Sequence, residues 1–526
     1  MILALLSFPL YHATALSPIQ RPKVTAEDLI SEFGIGKYQL KMFILCGLCW
    51  TADAMEILLI EFLAKDLTRE FPVSDNLNAF ISGVVFLGMF VGAFSWGFFS
   101  DRYGRKRAYA LSSLFVGVFG MLSATSPDIY FLMVFRFLVG FGFGGSHTAF
   151  TLWQEFTPIQ SRGFMLLINQ IFWTLGALLE ALIAWAVLPR YGWRMLMVFS
   201  SILPFVLVLF YFILPESPRF LIVKGKHDEA AQVLRDVARA NGHEFPEHCV
   251  LVLPESHQED TSKSAFSYMF HSLLVVTTLL LLVIWAADTF TYYGSAFITP
   301  KFFEDSSLYV ASILTTCAEV PGIFLPMLTM DSLGRKATLA ILFAVASVFF
   351  WVLAFVPDAT VVLVCLCVAR MCMSSAFTVT FIYTSEVYPT VMRSTGLGIA
   401  SAVSRLAGFG TSFASTAFSK QTSGIIYGAV PLAAMFAAIL LPYETSKRPM
   451  FDSIPQMVDY DNDQFGKYRD EVSYADTFEG DNENKRKKKK KAKNSDVDLN
   501  EDQIDNKRAE KTALIDDNES EMFGDY

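Results

Sequence analysis

Apolar and polar positions alternate along this chain at a long wavelength. Runs of about twenty apolar residues, bounded by charges, Gly or Pro, come twelve times, and each is long enough to cross a hydrocarbon layer of about 30 Å as a helix. They fall near 41–63, 78–100, 106–125, 129–152, 164–188 and 194–214, then near 271–297, 308–330, 337–356, 359–383, 392–418 and 422–443. The pattern predicts an all-α membrane protein with twelve transmembrane helices in two six-helix bundles, since a spanning segment must satisfy its own backbone hydrogen bonds. No short alternating segments of the β-barrel kind occur.

The polar remainder divides the chain. Residues 1–40 read as a leader on the cytoplasmic side, 41–214 and 271–443 as the bundles, 215–270 as a central loop, and 444–526 as a disordered cytoplasmic tail. Within the loop, Ala231, Leu234, Val237 and Ala238 suit a short amphipathic helix. The opening MILALLSFPLYHATALS has a signal-like apolar core but no basic flank, so a disordered, weakly amphipathic leader is expected, with a cleaved signal as the alternative. The tail's KRKKKKKAK at 485–493 is expected to be solvated, with a lipid or trafficking role as the alternative.

Composition agrees: 53% of residues are hydrophobic and only 18% charged, below the quarter typical of soluble chains. Lys and Arg then orient the spans. DRYGRKR follows the second run, Arg162 the fourth, DSLGRK the eighth and Arg393 the tenth, all on one side, which is expected to be cytoplasmic together with both termini. The seven Cys lie mostly in apolar runs, so the CxxC of Cys46 and Cys49 is expected to be packing rather than redox or metal chemistry. The seven His are scattered. No enzyme, metal, cofactor or nucleic-acid partner is expected.

The halves echo each other in order. CWTADA around Asp53 returns as IWAADT around Asp288, DRYGRK from Asp101 as DSLGRK from Asp331, and VFRFLVG around Arg136 as VARMCMS around Arg370. QEFTPIQSRG returns as SEVYPTVMRSTG, matching Glu155 with Glu386 and Arg162 with Arg393, and LPESP as LPYET. A duplicated six-helix unit of this kind builds transporters with a site between the halves.

The loop Gly97-x-x-x-Asp101-Arg102-x-Gly104-Arg105-Lys106 and its echo Asp331-x-x-Gly334-Arg335-Lys336 resemble the loop signature of the major facilitator superfamily, with Met327 in place of the second leading Gly. PESPRFL and the triplet Tyr292-Tyr293-Gly294 resemble its branch of sugar porters and organic ion transporters. GIGKYQLKMFILCGLCWTADAME and EVYPTVMRSTGLG are most similar to synaptic-vesicle-2-related proteins and niacin-transporter-like relatives, and the resemblance covers roughly 34–446. It implies alternating access, with the loop signature locking the cytoplasmic side in the outward-facing state. Glu155, Arg162, Glu386 and Arg393 are expected to join that network; the alternative is that these charges only set topology. Span seven, WAADTFTYYG, lacks the sugar porters' glutamine pattern.

Charges inside the spans are the chemical clue, because each costs roughly 2.5–3.5 kcal/mol at the bilayer centre. They are Asp53, Glu56, Glu180, Asp288 and Glu319 against Arg136, Arg370 and Arg405. Pairing suits Arg136 and Arg370; Asp53, Asp288 and Glu319 are expected to face a cavity, because carboxylates outnumber the Arg partners. Asp53 and Glu56 share a helix face at i and i+3, which would couple their titrations. Trp50, Trp173, Tyr292, Tyr293 and Tyr383 could form aromatic walls. Gly-rich LVGFGFGGS reads as close helix packing.

The expected activity is secondary transport of a small organic ion, a cation or zwitterion before an organic acid, with protons as a candidate coupling ion. Lipids are the other partner, and a monomer is expected, in the plasma membrane or a vesicle membrane. A sugar or polyol facilitator and a non-transporting vesicle protein are the alternatives.

Overall fold

The computed structural model describes residues 23–247, 249–252, 269, 274–304, 306–446 and 457. The opening seventeen residues and the basic run at 485–493 lie outside them. All elements below belong to the unit Met1–Asp452.

Each apolar run has become a helix. The first half holds α2 (Lys37–Glu70), α3 (Asp75–Tyr103), α4 (Arg105–Ala124), α5 (Ile129–Phe143) continued by α6 (His147–Glu155), α7 (Arg162–Ser200) and α8 (Ile202–Leu209). Ten helical stretches among the described residues are long and apolar enough to span. One of these, Ile159–Phe212, is two spans, because Gly192 (φ 75°) breaks α7. Ser200 donates to the Glu180 carboxylate, which a straight helix would hold about 30 Å away; the chain therefore doubles back.

The second half repeats the plan with α11 (Val275–Phe302), α12 (Ser306–Cys317) continued by α13 (Glu319–Leu333), α14 (Arg335–Phe355), α15 (Ala359–Val387), α16 (Thr390–Ala417) and α17 (Lys420–Leu440). Helix α16, rich in Gly, Ser and Thr and carrying Arg405, is less apolar and supplies the twelfth span.

Backbones approach most closely where side chains vanish. A Cβ on Gly140 would lie 2.0 Å from the Val85 carbonyl oxygen, one on Gly88 2.1 Å from that of Phe137, and one on Gly92 2.1 Å from that of Phe141. These glycines weld α3 to α5, as small residues do where lipid offers no hydrophobic drive. All seven cysteines are free thiols, Cys46 and Cys49 buried among them.

Ahead of the first span the described part of the leader, from Lys23 onward, is structured. Lys23–Thr25 pairs in parallel with Val250–Val252 as a two-stranded sheet, β1 and β2. Helix α1 (Ala26–Phe33) packs on α10 (His227–Asn241), the expected loop helix, which follows α9 (Pro218–Val223). Asn241 pins this layer to the start of α2: its Oδ1 accepts from the Tyr38 amide at 3.2 Å and its Nδ2 donates to Gln39 at 2.7 Å.

Candidate functional site

The halves meet along a seam, and the face bearing Gly104 and Gly334, rich in Lys and Arg, is called the inner face. At mid-depth the seam holds a polar group. Arg405 of α16, half-buried, places Nη2 3.3 and 3.4 Å from the two ring nitrogens of His147 on α6. Trp50 of α2 meets the edge of that imidazole at 6.2 Å and tilts against Trp173 of α7 at 5.7 Å. Asp53, one turn along α2, lies near Ser146 and feels the charge of Arg405. His147 is exposed although it lies mid-span, between helices of both halves. It therefore lines open space within the seam.

Apart from Asp288, the remaining buried charges form two clusters, each with one guanidinium and two carboxylates. In the first half, Arg136 donates from Nη1 to Glu56 at 2.8 Å and from Nη2 to the Glu56 carbonyl at 2.9 Å, while Ser201 donates to the same carboxylate at 3.1 Å. Glu180, bonded to Ser200, is the second carboxylate within reach of the Arg136 charge. In the second half, Arg370 Nε donates to Glu319 at 2.6 Å, Tyr292 donates to it at 2.8 Å and Thr174, from the first half, at 3.1 Å. Trp173 donates to the Tyr292 hydroxyl at 2.6 Å, also across the seam. The second carboxylate near Arg370 is Glu61 of α2, bonded by Ser312 of α12 at 2.6 Å.

Several expectations meet a different geometry. Glu319 is fully buried and takes three donors, so it belongs to a bonded cluster rather than to a cavity wall. Asp53 and Glu56 share a helix face, yet the first turns to Ser146 and Arg405 and the second to Arg136. Tyr383 donates to the Tyr443 carbonyl and is fully buried, so it packs and forms no wall. Tyr293 does stand in the seam, edge-on to Phe86 of the first half at 4.9 Å. Asp288 is buried with neither carboxylate oxygen bonded. Its neighbours on the same helix stripe, Trp285 and Tyr292, both face α15, through Thr384 and Arg370.

At the inner face each half closes its own network. Arg105 bonds Asp101 at 3.1 Å and approaches Glu155 at 3.7 Å; Arg335 approaches Asp331 at 3.5 Å and grips Glu386 with two contacts of 3.1 Å. Sequence reasoning missed the third member of each. Glu216 accepts from the amides of Arg105 and Lys106 at 2.8 and 3.2 Å, and Glu444 from those of Arg335 and Lys336 at 2.9 and 3.1 Å. Each carboxylate caps a helix N-terminus, where the dipole favours negative charge. The signal was in the repeat, LPESP against LPYET.

Gly104 (φ 105°) and Gly334 (φ 85°) make the turns before those helices, and a Cβ on Gly104 would lie 2.2 Å from the Glu216 carboxylate. Arg102 is exposed, and Arg162 and Arg393 open α7 and the first turn of α16. Gly97 faces open space, with nothing within 4 Å of a Cβ. Met327 at the matching position therefore displaces no equivalent packing.

A cavity of 140 Å³ lies toward the outer end, bounded by Ile60, Leu67, Asn78, Arg136 and Met197 of the first half and by Thr416 of the second. Sites for small molecules occupy roughly 300–1,000 Å³, so the mid-depth seam is the better candidate. Among the described residues no His, Cys, Asp and Glu group could hold a metal.

A family model described as sugar (and other) transporter matches residues 42–457. The chain is 31% identical over 483 residues to organic cation/carnitine transporter 7 of Arabidopsis thaliana, covering 82% of this chain and 97% of that one. It is 34% identical over 457 residues to the synaptic vesicle 2-related protein of Xenopus laevis, covering 81% and 82%. Among solved structures it is similar to the partially occluded inward open conformation of the xylose transporter XylE from E. coli. The TM-score is 0.64 at 19% identity, over 78% of this chain and 98% of that one.

Proposed function

The chain belongs to the sugar (and other) transporter family of the major facilitator superfamily, and we propose that it carries a small organic zwitterion across its membrane by alternating access. The observation that supports this is the pair of opposite charges at mid-depth. Arg405 and Asp53 stand in the seam with His147 exposed beside them, while Glu56, Glu180, Glu61 and Glu319 are engaged elsewhere. A substrate carboxylate would take the guanidinium, and an ammonium would sit toward Asp53 against Trp50, Trp173 and Tyr293, whose ring faces attract cations. The carboxylate excess that points to a cation is thus mostly internal. The Arabidopsis relative's name includes carnitine, a zwitterion with these two charges.

Proton coupling fits the first cluster. Glu56 and Glu180 share one guanidinium, so the cluster is neutral when it holds one proton.

Uptake into proteoliposomes tests both points. A betaine-type zwitterion should be taken up, and Arg405→Met should weaken it about tenfold or more, the scale of one lost charge-assisted pair. Asp53→Asn should weaken the zwitterion and spare a nicotinate-like acid. Glu56→Gln should make uptake indifferent to a pH gradient. Uptake of hexose with no competition from any of these ions would overturn the reading.

A further inference from the structure

Glu61 has no part in the substrate site, and sequence reasoning passed over it although it falls inside the first apolar run, 41–63. It lies about 12 Å outward from Asp53 along α2. Its side chain is buried, and its carboxylate reaches across the seam to Ser312 at 2.6 Å. The residues beside it also bridge the halves, Phe62 stacking on Tyr309 with centroids 6.0 Å apart. From α15, Arg370 sets its charge on Glu61, although the guanidinium is bonded to Glu319. On its own helix, Lys65 is exposed one turn outward, and Glu56 points about 140° away toward Arg136.

Two buried carboxylates therefore share the influence of one guanidinium. Glu319 takes Arg370, Tyr292 and Thr174; Glu61 takes one neutral hydroxyl. Meanwhile Nη2 of Arg370 is buried without a hydrogen-bond partner. An ionised Glu61 in the field of a guanidinium with a spare donor would be drawn to it, since charge-assisted bonds are about twice as strong as neutral ones, yet its one bond is to a neutral hydroxyl. The arrangement is that of a neutral acid. We propose that Glu61, Ser312 and Arg370 form a second proton-binding site, set in the outer seam, whose occupancy favours the closed seam.

The sign follows from what opening does. When the halves part, Glu61 leaves Ser312 for water and gives up its proton to the outer solution at neutral pH. Closing then requires the proton back. Acid on the outer side thus drives the seam shut, and alkali holds it open. The link to uptake rests on the proton-coupled reading above; the site itself does not.

The test needs no substrate. Leu308→Cys, at the outer end of α12 and partly buried in the seam's apolar cluster, is introduced after the native cysteines are replaced by Ser. Its labelling by a membrane-impermeant thiol reagent added outside is followed from about pH 8 to about pH 5, with the rate corrected for thiolate fraction. The parent should lose labelling about fivefold or more on acidification, the population shift one differential proton can drive. Glu61→Gln, a permanent mimic of the neutral acid, should label slowly at every pH. Ser312→Ala, which keeps the acid but removes its bond, should shift the response to lower pH. An unchanged profile in both variants overturns the proposal even where uptake follows a pH gradient. A Glu61-dependent profile in a protein whose uptake ignores pH would keep the site and discard the coupling.

Discussion

Arg136 and Glu56 show what a charge deep in the membrane demands. Each is almost wholly buried, and the guanidinium makes bonds to both the side chain and the carbonyl of Glu56. Removing one partner from such a pair costs about 3–5 kcal/mol, because the other is left uncompensated, whereas replacing both with apolar groups can be neutral. Arg136→Met should therefore lower the unfolding temperature in detergent sharply, leaving Glu56 and Glu180 with no cation. The double variant Arg136→Met with Glu56→Leu should recover most of the loss. A single variant that melts with the parent would show that the pair carries no structural weight. Glu61 marks the limit of reading at this scale. A residue with one acidic side chain in a long apolar run gives no sign of which neighbour it meets, and its partners lie 251 and 309 positions away in sequence.

Helices were the most legible elements, since twenty apolar residues in lipid have only one economical conformation. The short elements were harder. Helix α1 spans eight residues and its strand three, too few to show a period. One signal was nonetheless present: Thr25 and Asp28 form a reciprocal capping box, with bonds of 3.1 and 3.3 Å. Glycine roles were legible as a class and not one by one. Gly140 and Gly97 look alike in sequence, yet the first touches the α3 backbone and the second faces open space. Gly140→Ala should thus destabilise by about 1–3 kcal/mol or more through overpacking, while Gly97→Ala should melt with the parent. Thermal unfolding of the two variants side by side checks the contrast, and equal losses would refute the packing account.

Across the whole molecule, the bonds between halves sort by depth. From the middle outward run Trp173 to Tyr292, Thr174 to Glu319 and Ser312 to Glu61. At the inner end, the Arg105 and Arg335 networks each close within one half, and the aromatic contact of Phe150 with Phe381 at 5.6 Å is the innermost ring pair across the seam among the described residues. The sequence repeat matched Asp101, Arg105 and Glu155 with Asp331, Arg335 and Glu386, because local motifs carry them, and passed over Glu216 and Glu444. The seam was illegible for a physical reason: duplication fixes what each half contains, whereas docking depends on side chains that need not repeat, such as Glu61 and His147. Alternating access requires both levels of the seam to separate in turn. A short bifunctional thiol reagent joining Phe62→Cys to Tyr309→Cys should hold the outer level shut and reduce uptake to about a tenth or less, if each cycle must pass through the outward-open state. Joining Phe150→Cys to Phe381→Cys should block the inner level as fully, and cleaving either linker should restore transport. Uptake that continues at the unlinked rate with either bridge in place would mean that the halves do not rock about the site.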